Sequence, residues 1–354
     1  MIIALITVTL SPRLVIIMFE VVFLGTSASA PSAYRGLAAQ VVFFKEHRFL
    51  VDCGEGTQRQ ILKSGIGFKR LNRILITHGH LDHILGLAGL LSTMIRWESV
   101  GETFEIYAGR PALDRIHDLL YSVVLRDETP SAAIKLIELS PGTFIDETDF
   151  SVSAFPVVHR GPGCFGFIFQ EKTRRPFLVE QATALGVPFG PERARLVRGE
   201  AVTLANGRVI TPDEVLGADL PGARLALIGD VGRTDSLPPL IADSHALIIE
   251  STYLASEADM ARRFGHMTAA GAAWLAREAH VQTLLLTHLS RRSRERDVLS
   301  EARAIHPAAF VARDFDRYII AKDKPVFKSS EPIDDADPVD DMDSTPVDQD
   351  MTAS

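Results

Sequence analysis

The chain has 354 residues, of which 46% are hydrophobic and 23% charged, and its formal net charge is −8. This composition allows a large buried core and excludes a wholly disordered chain. Residues 329–354 contain nine Asp or Glu, no Lys or Arg and no aromatic residue, so the rest of the chain has a net charge of about +1. We therefore predict a disordered acidic tail at 329–354, and the acidity does not exclude a polyanionic ligand.

The first residues are apolar, but Pro12, Arg13 and Glu20 interrupt the run, and neither a basic n-region nor a clear cleavage site accompanies it. The chain has only two cysteines, which argues against a disulfide framework and suits a reducing compartment. We expect a cytoplasmic protein that does not associate with membranes. A strand-like segment begins at Met18, so residues 1–17 are interpreted as an extension from an upstream start.

Segments with β-strand character and segments with helical periodicity alternate along the chain. The strand-like runs are FEVVFLG, AAQVVFF, RFLVDC, NRILITH, FEIYA, IKLIEL, FSVSAFPVVH, CFGFIFQ, RLALIGD, HALIIEST, VQTLLLTH, AAFVARD and RYIIA. The helical patterns are EGTQRQILKSG, LDHILGLAGLLSTMIRW, PALDRIHDLLYSVVL, MTAAGAAWLAREA and the basic segment RRSRER. Strands separated by helices, with polar loops at the strand ends, predict a layered α/β domain over residues 18–328.

Residues 171–222 differ from the rest because they are rich in Gly, Pro and charge. The Asn206-Gly207 pair between AVTL and RVI predicts a small hairpin. A passage of about 50 residues without a strong core pattern is unusual inside a compact domain. We interpret it as an inserted flexible arm with a role of its own.

The motif THGHLDH places three histidines and an aspartate within six positions. In an extended chain alternate side chains share a face, so His78 and His80 can bind one cation. If a helix begins near Leu81, Asp82 and His83 lie in its first turn, where the helix dipole favours the carboxylate. A lone histidine is more often a core residue, but this spacing predicts a metal site. Imidazole and carboxylate ligands suit Zn²⁺, with Mn²⁺ as second choice.

Three further polar residues each end an apolar strand-like run, namely His159, Asp230 and His288. Taken singly, such a residue often only caps or turns the chain. Together with THGHLDH they fit a dinuclear site, in which a carboxylate bridges two divalent cations. Sites of this class activate water as a nucleophile at neutral pH.

The order FLGTSAS, DCGEGTQ, THGHLDH, a later His, GDVGRTDS and THLS resembles the metallo-β-lactamase superfamily. The segments FLGTSASAP and LVDCGEGTQRQ, Glu250 in IIEST, His266 in GHMTA, and THLSRRS resemble its tRNA 3′-processing endoribonuclease Z branch. The resemblance covers residues 19–321. It implies a four-layer αββα sandwich and two Zn²⁺ per subunit, with Mn²⁺ as an alternative. The implied metal ligands are His78, His80 and His159 for the first ion, Asp82, His83 and His288 for the second, and Asp230 bridging both.

The resemblance also implies catalytic roles. Asp82 would orient or deprotonate the attacking water, and His266, paired with Glu250, would protonate or stabilise the leaving 3′ oxygen. Without the resemblance, His266 would be interpreted as a surface histidine before a helix. Asp52 is either an acceptor for a ligand histidine or the cap of the helix that follows.

The implied function is a zinc-dependent endoribonuclease that cleaves precursor tRNA after the discriminator nucleotide, leaving a 3′ hydroxyl on the tRNA and a 5′ phosphate on the trailer. The resemblance further implies a homodimer in which one subunit's arm holds RNA for the other's active site, and no DNA substrate is expected. The arm mixes basic and acidic residues, so any phosphate contact there is local. The segment RRSRER is either a phosphate-positioning cluster or a solvated helix face.

Two alternative functions remain open from the sequence. The first is a phosphodiesterase of the same fold that acts on a small phosphodiester or cyclic nucleotide, with the arm closing over a compact ligand. The second is a non-catalytic RNA-binding member of the fold, which the complete set of proposed ligands argues against.

Overall fold

A computed structural model describes residues 18–97, 103–126, 129–130 and 132–330 of the chain. The predicted extension at 1–17 lies outside these ranges, as do residues 331–354 of the tail predicted at 329–354. The first residue of that predicted tail, Ser329, belongs to a strand. In chain order, the described strands are β1 Phe19–Gly25, β2 Ala39–Phe44, β3 His47–Val51, β4 Arg73–Leu75, β5 Thr103–Ala108, β6 Ala133–Glu138, β7 Gly142–Asp146, β8 Phe150–Pro156, β9 Phe165–Glu171, β10 Val202–Thr203, β11 Val209–Ile210, β12 Arg224–Leu227, β13 Ala246–Glu250, β14 Thr283–Thr287, β15 Ala309–Val311, β16 Arg317–Ile320 and β17 Phe327–Ser329.

The α-helices of the same ranges are short and mostly amphipathic. They are α1 Thr57–Ser64, α2 Leu81–Ile84, α3 Gly86–Trp97, α4 Arg110–His117, α5 Val179–Ala184, α6 Pro191–Val197, α7 Pro238–Ile241, α8 Ala258–Phe264, α9 Ala269–Glu278 and α10 Glu295–Arg303. None of the helices in the described part of the chain has the length and hydrophobicity needed to cross a bilayer.

Two mixed sheets form the body of the molecule. The first has the order β17-β16-β1-β2-β3-β4-β5-β6, and the second has the order β15-β14-β13-β12-β9-β8-β7. Strands β3 to β6 run parallel to one another, as do β12 to β15. Because parallel neighbours end at the same edge of a sheet, the residues that follow β12, β13 and β14 lie close together.

Three apolar cores separate four layers. The core between the sheets contains a group of phenylalanines in contact with one another. The centroids of the Phe19 and Phe44 rings, and of the Phe44 and Phe150 rings, are 4.8 Å apart, with the rings tilted. Each such ring stabilises the fold by about 1.5–3 kcal/mol through burial. The outer face of the first sheet packs against α1, α3 and α4, and that of the second against α7, α9 and α10. The predicted αββα sandwich is confirmed.

The arm forms a small unit with its own core, which the sequence pattern did not reveal. Two bridges, Arg174 with Leu220 and Phe177 with Leu216, make its stem. The predicted hairpin is present as β10 and β11, with Gly207 at φ 80° in the turn. The core side chains are Ala182, Val187, Leu196, Val202, Ile210 and Val215.

Three predicted helices differ from the observed ones. The single helix predicted over LDHILGLAGLLSTMIRW is divided at Leu85 into α2 and α3. The helix predicted over PALDRIHDLLYSVVL is α-helical only to His117, and Asp118–Val124 continues as a π-helix. The helix predicted over RRSRER begins only at Glu295, because Ser290 accepts from the backbone amides of Arg292 and Ser293 and forms a turn there.

Candidate metal centre

The THGHLDH segment crosses from the end of β4 into α2. The backbone of Thr77 is fixed between sheets, since its carbonyl accepts from the Phe165 amide at 2.9 Å. His80 occupies the N-cap position of α2, and Asp82 lies in its first turn, as predicted. His78 and His83 are buried, whereas His80 is partly exposed. The segment therefore points its imidazoles toward the edge where β12, β13 and β14 end.

A first group of ligand atoms lies around one oxygen of Asp230. The Nε2 atoms of His78 and His159 are 3.5 and 3.7 Å from Asp230 Oδ2. The Nδ1 atom of His80 is 2.8 Å from His78 Nε2 and 3.3 Å from His159 Nε2. These four side chains come from three separate parts of the sequence and meet at one point.

A second group lies around the other oxygen of the same carboxylate. The Nε2 atoms of His83 and His288 are 3.4 and 3.3 Å from Asp230 Oδ1. Asp82 Oδ2 is 3.4 Å from His288 Nε2 and 3.8 Å from His83 Nε2. Asp230 thus presents one oxygen to each group, which is the geometry of a bridging ligand.

The second group fits a divalent cation on two counts. His83 Nε2, Asp230 Oδ1 and His288 Nε2 are buried and have no hydrogen-bond partner among the residues described. An unsatisfied buried polar atom costs about 1–3 kcal/mol, so three such atoms at one point fit a site that a bound cation would satisfy. In addition, Zn–N bonds of about 2.0–2.1 Å place tetrahedral ligand atoms about 3.3–3.4 Å apart, close to the observed 3.3–3.8 Å.

Hydrogen bonds at Nδ1 set the tautomers of four histidines. When Nδ1 carries the proton and donates it to a neighbour, Nε2 is left as an acceptor that faces the ligand group. The pairs are His78 Nδ1 with Thr77 Oγ1 at 3.1 Å, His83 Nδ1 with Asp52 Oδ2 at 2.8 Å, His159 Nδ1 with the Gly265 carbonyl at 2.6 Å, and His288 Nδ1 with Thr252 Oγ1 at 3.1 Å.

The electrostatics of the site favour metal binding. Burial lowers the pKa of His78, aided by the neighbouring His83, and burial likewise lowers the pKa values of His80 and His159. Burial alone would raise the pKa of Asp230, but His288, His83 and His78 hold that pKa well below its usual value. His78, His80 and His159 are therefore neutral imidazoles beside an ionised carboxylate, a combination that favours metal binding.

His83 is the exception. Burial would lower its pKa, but the charges of Asp230 and Asp52 outweigh burial and raise that pKa well above the usual value. A cation that binds Nε2 must therefore displace a proton from this ring.

Asp52 contacts a ligand histidine and does not cap a helix. Its Oδ1 accepts from the Thr77 amide at 2.8 Å, and its Oδ2 accepts from the Thr77 hydroxyl at 2.9 Å and faces His83. The N-cap of α1 is Gly56, which has no side-chain cap. Of the two interpretations from the sequence, the structure supports the acceptor.

His266 lies beside the two ligand groups, with its side chain 10% exposed, and is paired with a fully buried carboxylate. Its Nδ1 is 3.0 Å from Glu250 Oε1 and 3.8 Å from Asp230 Oδ2. Glu250 is held in turn by the Val231 amide at 2.8 Å and by the Thr252 hydroxyl. Burial would lower the pKa of His266, but the hydrogen bond and charge of Glu250 raise it to about 9. The interpretation as a surface histidine does not hold.

Several residues that contact the site were not predicted from the sequence. Thr77 immediately precedes His78, and Thr252 follows Glu250 by two positions, so their hydroxyls could have been found from the motifs themselves. The Ser29 amide, which donates to Asp82 Oδ2 at 2.9 Å, lies 53 residues away and carries no sequence signal.

Several of the basic residues singled out from the sequence are paired with acidic neighbours. In the arm, Arg195 and Arg198 both pair with Glu200, at 2.9 and 3.2 Å, and Arg208 pairs with Glu214 at 3.3 Å. Arg193 instead lies over the exposed Phe189 ring, 3.7 Å from its centroid. In RRSRER, Arg292 is 3.7 Å from Glu257 and Arg296 is 3.2 Å from Asp297.

Comparison with known proteins places this site in a family. The model of the beta-lactamase superfamily domain matches residues 47–289. A ribonuclease Z from Bradyrhizobium diazoefficiens is 44% identical over 303 residues, which cover 86% of this chain and 100% of the relative. The chain belongs to the ribonuclease Z family. Another ribonuclease Z, from Methanothermobacter thermautotrophicus, is 39% identical. The match covers 84% of this chain and 95% of that relative.

Solved structures agree with membership in the ribonuclease Z family. The crystal structure of the short form of human tRNase Z has 26% sequence identity and a TM-score of 0.60, over 84% of this chain and 98% of that one. The metallo-β-lactamase fold protein YhfI from Bacillus subtilis has a TM-score of 0.61 at 17% identity, over 86% and 99% of the two chains, and shows the fold alone. The resemblance stated from the motifs is confirmed.

Proposed function

We propose that this ribonuclease Z family member is an endoribonuclease that removes the 3′ trailer from precursor tRNA. It cleaves after the discriminator nucleotide and leaves a 3′ hydroxyl on the tRNA and a 5′ phosphate on the trailer. The observation that carries the proposal is the convergence of the ligand groups on the two oxygens of Asp230. This occurs in a chain 44% identical to a ribonuclease Z over that relative's whole length.

We assign two divalent cations to each subunit, and the nitrogen and oxygen ligand set favours zinc, with manganese as the alternative. When bound, the cations would supply Lewis-acid activation of water and of the phosphate. The residues that would hold them are His78, His80 and His159 on one side, Asp82, His83 and His288 on the other, and Asp230 between them.

Asp82 is positioned to act on the attacking water. Its side chain is 13% exposed, in contrast to the 2% of Asp230, so substrate and water can reach it. Burial would raise the pKa of Asp82, but His288, whose Nε2 is 3.4 Å from Asp82 Oδ2, and the charge of His83 lower that pKa, so the carboxylate stays ionised. We assign it the role of orienting the water and accepting its proton.

His266 is the acid of the proposed reaction. Its Nδ1 is engaged by Glu250 and its raised pKa keeps the ring protonated near neutral pH. The Nε2–H group is then free to donate to the leaving 3′ oxygen. Glu250 acts through His266, by orienting the ring and holding its charge.

The arm is proposed to bind the body of the tRNA. Two observations support this role. Residues 174–220 pack around their own core on a stem of two bridges, and they expose the Phe189 ring. A homodimer, in which one arm serves the partner's site, is part of the proposal and rests on the resemblance alone. A cytoplasmic location is also proposed, and the free cysteines Cys53 and Cys164 suit it.

The decisive experiment incubates the purified protein with a 3′-extended precursor tRNA and maps both product ends. We expect a single cut after the discriminator nucleotide, abolished by a chelator and restored by zinc, with two metal ions per subunit measured by mass spectrometry. His159→Ala should abolish cleavage, whereas His117→Ala, on an exposed ring 59% accessible to solvent, should not. Cleavage of only a small phosphodiester would refute the tRNA assignment.

A further inference from the structure

The segment between β1 and β2 contributes a backbone contact to the proposed catalytic carboxylate. We call residues 26–36 the β1–β2 loop. The Ser29 amide of this loop donates to Asp82 Oδ2 at 2.9 Å. The same oxygen is 3.4 Å from His288 Nε2. A carboxylate oxygen that accepts a fixed N–H bond is restricted in the directions it can present to other partners.

Ser29 needs its surroundings to keep this conformation. Its φ of 57° lies in the left-handed region, which a residue with a Cβ adopts only where the structure holds it. On one side, the Ser27 hydroxyl donates to the Ala30 carbonyl at 2.8 Å, and the Ala28 amide donates to the Leu289 carbonyl at 3.0 Å. Because Leu289 follows His288, this half of the loop is tied to a proposed metal ligand.

On the other side, the loop is closed by Arg35, whose side chain is only 16% exposed. Its Nη1 donates to the Thr26 hydroxyl at 2.6 Å and to the Ala312 carbonyl at 2.7 Å. Its Nη2 donates to Glu295 Oε2 at 2.9 Å. The guanidinium thus links the end of the loop to Thr26, the first residue of the loop, and links the loop to Glu295 in α10.

Asp314 completes the closure. It accepts from the Thr26 hydroxyl at 2.7 Å and from the Gly36 amide at 2.6 Å. Both ends of the loop are therefore joined at the Thr26 hydroxyl, to which Arg35 donates and which donates to Asp314.

We propose that Arg35 is a positioning residue, which holds the β1–β2 loop so that the Ser29 amide keeps Asp82 in its reactive orientation. This rests on the proposed function, in which Asp82 acts on the attacking water. Arg35 acts through the loop and does not touch the substrate, because its guanidinium is turned toward Thr26, Ala312 and Glu295. Removal of a side chain that supports a metal-site residue lowers activity by about 10- to 100-fold.

The test compares Arg35→Met with the matched variant Arg313→Met. Arg313 contacts the same Glu295, at 3.0 Å from Nε to Oε1, but its side chain is 65% exposed and is not part of the loop. Cleavage of precursor tRNA should show kcat lowered by about 10- to 100-fold in Arg35→Met with KM nearly unchanged, and both constants unchanged in Arg313→Met. Arg35→Lys should recover part of kcat.

Amide hydrogen exchange of residues 26–36, measured on chelator-treated protein, gives a readout independent of activity. Exchange at Ser29 should be faster in Arg35→Met than in the wild type or Arg313→Met. Faster exchange with unchanged kcat would overturn the positioning role. A raised KM with unchanged kcat would also overturn it and would show that Arg35 binds RNA directly.

Two other outcomes can be distinguished from failure of the positioning role, namely misfolding of Arg35→Met and failure of the proposed function. If Arg35→Met does not fold, Glu295→Gln replaces it: a lowered kcat at constant KM supports the proposal, and an unchanged kcat overturns it. If the wild type does not cut precursor tRNA, the proposed function fails. The exchange comparison then still decides whether Arg35 holds the Ser29 amide.

Discussion

Replacing Asp52 with asparagine tests how far a buried neighbour controls the metal site. Asp52 Oδ2 lies 2.8 Å from His83 Nδ1, and both side chains are at most 2% exposed. In the Asp52→Asn variant one carboxylate oxygen is replaced by an NH₂ group, which can donate to His83 Nδ1 only if the ring proton moves to Nε2. That proton would then point at Asp230 and Asp82 and block the position that a cation must occupy.

The expected loss of metal affinity in Asp52→Asn follows from the hydrogen bond that changes. Loss of one charge-assisted hydrogen bond is worth about 1.5–3 kcal/mol, and each 1.4 kcal/mol is about tenfold, so metal affinity should fall by about 10- to 150-fold. Competition with a fluorescent chelator measures this directly. Asp118→Asn, at a side chain 82% exposed, is the control and should bind metal normally. If Asp52→Asn binds metal as tightly as the wild type, Asp52 does not set the tautomer of His83.

Three further predictions concern the reaction and the arm. Asp82→Asn should lower the single-turnover rate by about 10²- to 10⁴-fold with little change in RNA affinity by filter binding, and an unaltered rate would refute its role as base. Glu250→Gln should bring down the pKa of His266 from about 9, because the carboxylate charge that raises it is removed; the alkaline fall in kcat should therefore move to lower pH, and an unshifted profile would exclude His266 as the acid. Replacing residues 174–220 with a short linker should weaken tRNA binding in a gel-shift assay but preserve hydrolysis of bis(p-nitrophenyl) phosphate, whereas loss of both would make the arm a structural element.

The residues of the two proposed ligand groups could be singled out from the sequence because local patterns carry them. His78, His80, Asp82 and His83 occupy one motif, and Asp230 closely follows the apolar strand β12. By contrast, the Ser29 contact to Asp82 depends on the way two distant segments pack, and no local periodicity encodes it.

Two other features could not be predicted from the sequence, for different physical reasons. The arm's core is made by isolated residues such as Val187 and Leu196, which are too far apart to give an amphipathic repeat. The start of α10 was misplaced because RRSRER has helix-forming arginines. Ser290 turns the chain first, and Glu295 and Asp297 then favour a helix N-terminus at Glu295.

The base of the arm has a consequence for how such chains diversify. The Glu171 amide donates to the Ala223 carbonyl at 2.9 Å, so the excursion leaves and re-enters the sheet at adjacent positions. The entropy of closing a loop rises only slowly with its length, and the host strands β9 and β12 remain paired whatever lies between them. Exchange of this one appendage would therefore leave the host sheet intact, so the RNA recognition proposed for the arm could change in evolution while the hydrolytic chemistry is inherited unchanged.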